Sequence, residues 1–464
     1  MVSDHSLAVN VSVDRVGNRS MEGVTMRRIT WRLIPLLFLL YIVSFIDRTN
    51  VSFAALQMNR DLGFGAAVYG LGAGIFFLGY ALFEVPSNLI LARVGARRWI
   101  SRIAITWGLL ASAMLLVRNA ESFYVLRFLL GVAEAGFFPG IIYYLGQWFP
   151  ERQRARAISG FMLGVPISAM IGGPAAGVLL ALDGTFGLAG WQWLFVVEGV
   201  PAVILGAIVL RVLTDRPEDA HWLSTPDRLW LRENLESEQA QRGGVREDHF
   251  GRALAIPALW WLAVPYLVVG IGSYAAIFWG PTLVRDLLGL GEVAVGIAMG
   301  GIGLLGAIWM LINGRWSDRH DERVMHAAVP LLLSALGFVV AATRREPALV
   351  VGGLAVAIAG FYAFLPVFWC LPARFLGGTA AAGGIAFLNA VGSLGGFVGP
   401  NVLGVVREAT GSFDGGLFAM STLTLGAGVA MLALRRVPVF GACADRVVTA
   451  GTTAGVRHHV VAQG

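Results

Sequence analysis

Six charged residues fall away from the ends of long apolar stretches in this 464-residue chain: Asp47, Arg48, Glu84, Arg127, Glu134 and Glu198. At the centre of a membrane helix each costs at least ~2.5–3.5 kcal/mol, so their positions are informative. Asp47 and Arg48 are adjacent, while Arg127 and Glu134 are seven residues apart, two turns along one helical face. At about 1.5 Å per residue, Asp47 and Arg48 stand roughly 22–24 Å above Arg32 at the inner boundary. Arg127, on a helix entering from the other side near Phe123, lies roughly 6 Å inside the outer boundary of a core about 30 Å thick. Both arginines and Asp47 then share nearly one level, Glu134 lies close to the midplane, and the four are expected in one wet cavity. Carboxylates whose proton affinity moves with burial and neighbours suit proton coupling. A guanidinium is a permanent bidentate fork for a substrate carboxylate. The competing reading is a structural ion-pair lattice, which is preferred for Glu84 and Glu198. Desolvation makes it a poor explanation of the other four.

The elements that must carry these residues follow from composition. The chain is 56% hydrophobic and 14% charged, with a mean hydropathy of +0.70, whereas soluble domains run at about 25% charged. Two cysteines, Cys370 and Cys443, exclude a disulfide scaffold. A net charge of +6 and a pI near 9.7 would suit a nucleic-acid binder, but the basic residues cluster in loops between apolar stretches, so no nucleic-acid partner is expected. All 35 basic residues are arginines, so no Walker lysine exists and an ATP-driven pump is disfavoured. No zinc or haem spacing is present; no metal, cofactor or enzymatic activity is expected. Twelve stretches are long enough to span a bilayer, near 33–56, 69–92, 99–117, 123–147, 156–182, 192–213, 254–284, 293–313, 325–342, 348–371, 378–405 and 414–434. Lipid-facing backbone must satisfy its own hydrogen bonds, so these are helices, and the alternation of a membrane barrel is absent. The first thirty residues hold no separate apolar core, which leaves the first span as the insertion signal.

With both termini placed in the cytoplasm, 27 arginines fall on the inner side and six on the outer, and Arg48 and Arg127 lie within spans. The expected organisation is a cytoplasmic tail (1–32), a six-helix bundle (33–213), a cytoplasmic linker (214–253), a second bundle (254–434) and a cytoplasmic tail (435–464). Arg93 and Arg319 are 226 residues apart, and so are Gly173-Pro174 and Gly399-Pro400. That shared offset points to a duplicated six-helix unit, as in many secondary transporters. The fold class is an all-α membrane protein of twelve transmembrane helices in two pseudo-symmetric six-helix bundles. Glycine is abundant, with 60 residues, which lets such helices approach closely.

Asn88-Leu-Ile-Leu-Ala-Arg93-Val-Gly95-Ala-Arg97-Arg98 follows span two, and Gly314-Arg-Trp-Ser-Asp318-Arg319 follows span eight. They resemble the two copies of the cytoplasmic loop motif of the major facilitator superfamily, read as a short turn whose acid and arginines latch helix ends. The first copy departs from the pattern at Asn88 and Ala92, where a glycine and an acid are expected. More specific are Tyr41-Ile-Val-Ser-Phe-Ile-Asp47-Arg48-Thr-Asn50, Gly79-Tyr80-Ala-Leu-Phe-Glu84-Val-Pro86, Leu126-Arg127-Phe-Leu-Leu-Gly131-Val-Ala-Glu134-Ala-Gly136-Phe-Phe-Pro139-Gly140 and Trp148-Phe149-Pro150. Together these resemble the anion:cation symporter branch of that superfamily, over roughly residues 27–436. Its tartrate, phthalate, hydroxyphenylacetate and sugar-acid transporters are the nearest likeness.

By that resemblance Asp47 and Glu134 take up protons, Arg127 modulates them and Arg48 contacts the substrate carboxylate. Tyr80, Asn389 and Trp369 complete the substrate site, and Arg93, Gly95, Arg97, Arg98, Gly314, Asp318 and Arg319 form the gating motif. The expected function is proton-coupled import of a small organic carboxylate by alternating access. The expected partners are the substrate anion, protons and lipid, in a monomer of the bacterial inner membrane. The alternative is proton-driven export of cationic or amphiphilic compounds, which Arg48 and Arg127 disfavour. A non-transporting membrane sensor is the third reading, and it lacks an output domain.

Overall fold

A computed structural model describes residues 4–241, 256–320, 322–343, 346–372 and 378–437. The linker beyond Gln241, Arg344, Arg345, Arg374 and the tail from 438 lie outside the described residues. The first crossing is made by α1 (Asp4–Thr49) and α2 (Val51–Leu62), the second by α3 (Ala66–Val94) and the third by α4 (Ala96–Ala113). The fourth is made by α5 (Ala120–Glu134) and α6 (Phe137–Trp148), and the fifth by α7 (Glu151–Met162) and α8 (Gly164–Leu180). The sixth is α9 (Gly190–Val212), and α10 (Thr225–Gln241) follows in the polar linker. The other six crossings are α11 (Pro257–Leu288), α12 (Glu292–His320), α13 (Val324–Thr343), α14 (Pro347–Phe368), α15 (Gly378–Thr410) and α16 (Asp414–Ala433).

Among the described residues, twelve segments are long and apolar enough to cross a membrane, matching the twelve expected from sequence. One difference lies at the start. The stretch expected as a polar tail is largely helical, because α1 begins at Asp4 and no proline interrupts it before Pro35. Large apolar side chains such as Leu82, Val85 and Leu89 on α3 and Val264 on α11 are exposed, as lipid-facing positions require.

Residues Met1–Glu247 with Ile277–Leu304 form one compact unit, and Asp248–Ala276 with Leu305–Gly464 form a second. In the first, α3 and α5 meet backbone to backbone. A Cβ on Gly131 would sit 2.0 Å from the Phe76 carbonyl oxygen, and one on Gly79 would sit 2.5 Å from that of Phe128. Small residues are what permit such an approach. The ends of α11 and α12 that belong to this unit are tied to it by hydrogen bonds. Tyr69 Oη donates to the Phe278 carbonyl at 2.7 Å, and the Arg285 guanidinium donates to the Leu56 carbonyl. In the second unit, Ser334 donates to the Ala357 carbonyl and Ser421 to that of Ala335, each at 2.8 Å. These bonds fasten α13 to α14 and to α16. The repeat landmarks occupy like positions: Arg93 and Arg319 lie in the last turns of α3 and α12, and Pro174 and Pro400 lie inside α8 and α15.

Candidate functional site

Helix junctions beside the membrane-buried charges set the site. At Asn50 the first crossing stays right-handed helical (φ −57°, ψ −31°), its amide bonding back to Ile46 and its carbonyl accepting from Phe53 and Ala54. The fourth breaks at Ala135 and Gly136, directly after Glu134. Gly136 has φ +82°, and a Cβ there would lie 2.5 Å from Ser87 Oγ, so glycine is required on both counts. Irregular backbone at membrane depth survives only where protein covers it or a cavity adjoins it.

Arg48, in the last turn of α1, donates from Nη2 to Glu134 Oε1, forming a buried ion pair. Ser44, one turn earlier on the same face, donates to the same oxygen at 2.7 Å. Aromatic rings of Tyr80, Phe76 and Phe45 surround the guanidinium, with centroids 5.1, 5.4 and 5.4 Å from its carbon. Tyr80 itself is buried. Glu134 ends α5, where the helix dipole presents its negative pole, so the carboxylate there depends on Arg48 for compensation.

Asp47 is one residue away and therefore turned by about 100° round the helix, toward different neighbours. Its Oδ2 accepts from Trp107 Nε1 at 2.7 Å, and its Oδ1 accepts from Asn50 Nδ2 at 3.4 Å. Arg127 is fully buried and donates to the Gly72 and Ala73 carbonyls of α3, at 3.2 Å each, while lying 5.0 Å from the Phe76 ring centroid. It stays within electrostatic range of Glu134, Arg48 and Asp47. The structure therefore brings Arg48 to Glu134 and sends Asp47 and Arg127 to other partners. Arg48 and Arg127 still face one ring, their guanidinium carbons 5.4 and 5.0 Å from the Phe76 centroid.

Glu198 on α9 is buried beside Asp47 and Asn50, and it makes no ion pair among the described residues. The structural ion-pair reading preferred for it from sequence does not hold, because its charged neighbour is another acid. Glu84 is buried in α3, within electrostatic range of Tyr80.

The remaining substrate-site candidates belong to the second unit. Asn389 is half-buried on α15, and its carbonyl accepts from Ser393 Oγ at 3.0 Å. Trp369 directly follows α14 and packs edge-on against Tyr266 at 5.2 Å, whose ring stacks on Phe368 at 4.6 Å.

Of the gating motif, Arg93 closes α3, Gly95 turns the chain with φ +97°, and Arg97 and Arg98 open α4. An acid does stand at this corner, contributed by the linker. Asp215 Oδ1 accepts from the Arg97 backbone N–H at 2.8 Å, and Arg97 Nε donates to the Leu210 carbonyl at 2.6 Å. The second copy is not a turn as expected. Gly314, Asp318 and Arg319 lie within α12, which continues to His320 because nothing in Gly314–Arg319 breaks a helix. A Cβ on Gly314 would meet open space. Asp318 pairs with Arg323, just before α13.

Sequence reasoning missed Ser44, Asn50, Trp107 and Asp215. The four-residue spacing of Ser44 and Arg48 was available as a signal. Trp107 and Asp215 act across 60 and 118 residues of chain, and no local pattern announces them.

The family model described as Major Facilitator Superfamily matches residues 37–400. A candidate tartrate transporter of Agrobacterium vitis is 46% identical over 423 residues, covering 91% of this chain and 94% of that one. A quinolone resistance transporter of Acinetobacter baumannii is 43% identical over 404 residues, covering 87% and 93%. Among solved structures, a bacterial homolog of the human lysosomal transporter Spinster superposes with a TM-score of 0.71 at 18% identity, covering 87% of this chain and 96% of that one.

Proposed function

The chain belongs to the major facilitator superfamily, as a multi-pass membrane transporter of the anion:cation symporter type, and from that premise we propose that it imports a small organic carboxylate together with protons. Both termini face the cytoplasm in this reading, the membrane is the bacterial inner membrane, and the working unit is a monomer.

The observation that carries the reading is the buried Arg48–Glu134 pair. An incoming carboxylate and the Glu134 carboxylate compete for one guanidinium. A proton on Glu134 removes the competitor, so proton uptake and anion binding favour each other, and linkage makes that coupling reciprocal. With the proton on Glu134 and the anion on Arg48, the site keeps the net charge it had before either arrived. Reorientation then carries both across, and loss of the proton on the more alkaline side returns Glu134 to Arg48 and expels the anion. Arg127 stays a fixed positive charge that tunes the acids, Tyr80 lines the guanidinium, and Asn389 and Trp369 contribute further substrate contacts. Arg93, Gly95, Arg97, Arg98, Gly314, Asp318 and Arg319 gate the cytoplasmic helix ends. Tartrate is the first substrate to test, since it is the one named for the Agrobacterium vitis relative.

The test is tartrate uptake into proteoliposomes under an inward proton gradient, followed by a panel of sugar acids and aromatic acids. Wild type accumulates one of these against its gradient. Glu134→Gln loses accumulation and retains exchange of internal for external substrate. Unchanged gradient-driven accumulation in that variant overturns the reading.

The quinolone resistance relative favours a second reading, outward transport of drugs. Quinolones are themselves aromatic carboxylic acids, so this name too is compatible with an arginine site. Direction separates the two: under an inward proton gradient the import reading requires proteoliposomes to accumulate the organic acid, whereas the second requires them to expel a preloaded quinolone.

A further inference from the structure

We infer that Glu198 is an additional proton-binding acid, coupled to Asp47 through Asn50 as one titrating pair distinct from the Arg48–Glu134 switch. It deepens the proton-coupled reading above and rests on it for its role in transport.

Hydrogen-bond supply carries the inference. Glu198 Oε1 and Oε2 and Asn50 Oδ1 are all buried, and none has a hydrogen-bond partner among the described residues. Glu198 is only 8% exposed. Asn50 lies close enough to interact with its carboxylate yet closes no full hydrogen bond to it. This is a group of acceptors short of a donor. One proton remedies it: bound to Glu198, it turns an acceptor into an O–H donor, and the nearby acceptor awaiting one is Asn50 Oδ1. The Asn50 amide then spans both acids, since its Nδ2 already donates to Asp47 Oδ1.

Among the described residues, no cation is at hand to do the same work. Of the helices packed on α9, α1 presents Asp47 and Arg48, and Arg48 is engaged by Glu134. Arg127 of α5, the other buried guanidinium near Asp47, binds the Gly72 and Ala73 carbonyls. On α2, Arg60 pairs with Asp61, whose carboxylate receives Trp191 Nε1 at one end of α9. On α4, Arg97 binds the Leu210 carbonyl at the opposite end of α9, Arg98 is exposed, and Arg102 lies over the Trp99 ring. The α8 sequence contains no titratable side chain. An ionised Glu198 would therefore be a buried charge whose nearest charged neighbour is Asp47, the arrangement that like charges in a low dielectric oppose. Two acids so linked release their protons in two macroscopic steps belonging to the pair.

The experiment is an infrared titration of carboxylic-acid carbonyl bands in the full-length chain reconstituted in lipid, with no substrate added. In wild type the bands lost in Asp47→Asn and in Glu198→Gln are expected to titrate together in two steps, separately from the band lost in Glu134→Gln. Glu198→Gln should remove one acid band and shift the midpoint of the band lost in Asp47→Asn by about one pH unit or more. Glu198→Asp should restore two steps. An acid spectrum unchanged by Glu198→Gln, or an Asp47 midpoint that does not move, overturns the inference. Should Glu198→Gln fail to fold, Asn50→Leu keeps both acids and removes the bridge. The two titrations should then become independent, and midpoints identical to wild type would be equally fatal. Tartrate uptake by the same wild-type proteoliposomes is read separately, so the transport reading can fail while the titration stands, and the reverse.

Discussion

Replacing Glu134 by Gln isolates the competition on which coupling depends. In wild type a substrate carboxylate reaches Arg48 only by displacing a buried, charge-assisted hydrogen bond from Glu134, which Ser44 also supports. Hydrogen bonds to charged groups contribute about 1.5–3 kcal/mol. A neutral amide in place of the carboxylate surrenders most of that, so Glu134→Gln should bind the carboxylate about ten- to hundredfold more tightly at neutral pH. The pH dependence carries the sign. Because binding takes up one proton in this scheme, wild-type affinity should fall as pH rises, by up to about tenfold per pH unit. The variant should be flat over the same range. A second readout follows from stability: stripping one partner from a buried ion pair costs about 3–5 kcal/mol, so the substrate-free variant should melt lower and gain more from added substrate than wild type does. Calorimetric titration with the carboxylate that wild type accumulates, repeated across a series of pH values, measures all of this. Weaker binding in the variant, or the same pH slope in both proteins, would refute the competition and with it the coupling scheme.

Arg48→Lys keeps the charge and loses the planar fork, so carboxylate binding should weaken at least tenfold while thermal stability changes little; unchanged binding would show that bidentate recognition is not used. Gly131→Ala drives a Cβ to within 2.0 Å of the Phe76 carbonyl and should destabilise by about 1–3 kcal/mol or more, whereas Gly314→Ala meets open space and should not, as thermal unfolding in detergent can check. Asp227, on α10, is subject to a burial effect that raises its carboxyl, but hydrogen bonds from Thr25 and Ser224 and the Arg28 guanidinium outweigh it and hold the group below the usual carboxylate range. Its stabilising contribution is therefore present above the ordinary aspartate value and lost as pH falls through the depressed one. Asp227→Asn should cost on the order of 1 kcal/mol at neutral pH and nothing in strong acid, read as melting temperature against pH.

The spans were legible because lipid leaves hydropathy little freedom: twelve apolar runs became twelve crossings. The buried charges were legible for the same reason, since a carboxylate in an apolar run stands out. Their pairing was not. Asp47 and Arg48 are neighbours in sequence and look like one cluster, but a helix turns successive side chains about 100° apart, so one meets Trp107 and the other Glu134. Glu198 looked like a structural ion because any acid in a span invites a partner, and the absence of a paired cation around it among the described residues is a tertiary fact. The departure of the first motif copy at Ala92 was legible, but its compensation was not: an acid arrives at Arg97 from Asp215, far along the chain.

The surroundings of the two central acids also separate their roles. Glu134 sits at the negative pole of α5, a place that penalises its charge, and Arg48 with Ser44 offsets that penalty. A proton on Glu134 relieves the same penalty, so the acid has two comparable ways of being compensated and can exchange one for the other. Arg48 has no such alternative within α1; once Glu134 is neutral, the guanidinium keeps its charge among the rings of Phe45, Phe76 and Tyr80 and calls for an anion. Asp47, by contrast, accepts an indole N–H at 2.7 Å and closes no ion pair among the described residues, with Arg127 in electrostatic range. An anion-gated switch requires a group that trades a guanidinium for a proton, and that description fits Glu134, whereas the partner of Asp47 in the titration inferred above is Glu198. Asp47→Asn should therefore slow transport while leaving the affinity gain of Glu134→Gln intact in the double variant, and a double variant whose affinity returns to the wild-type value would show instead that the two acids act as one.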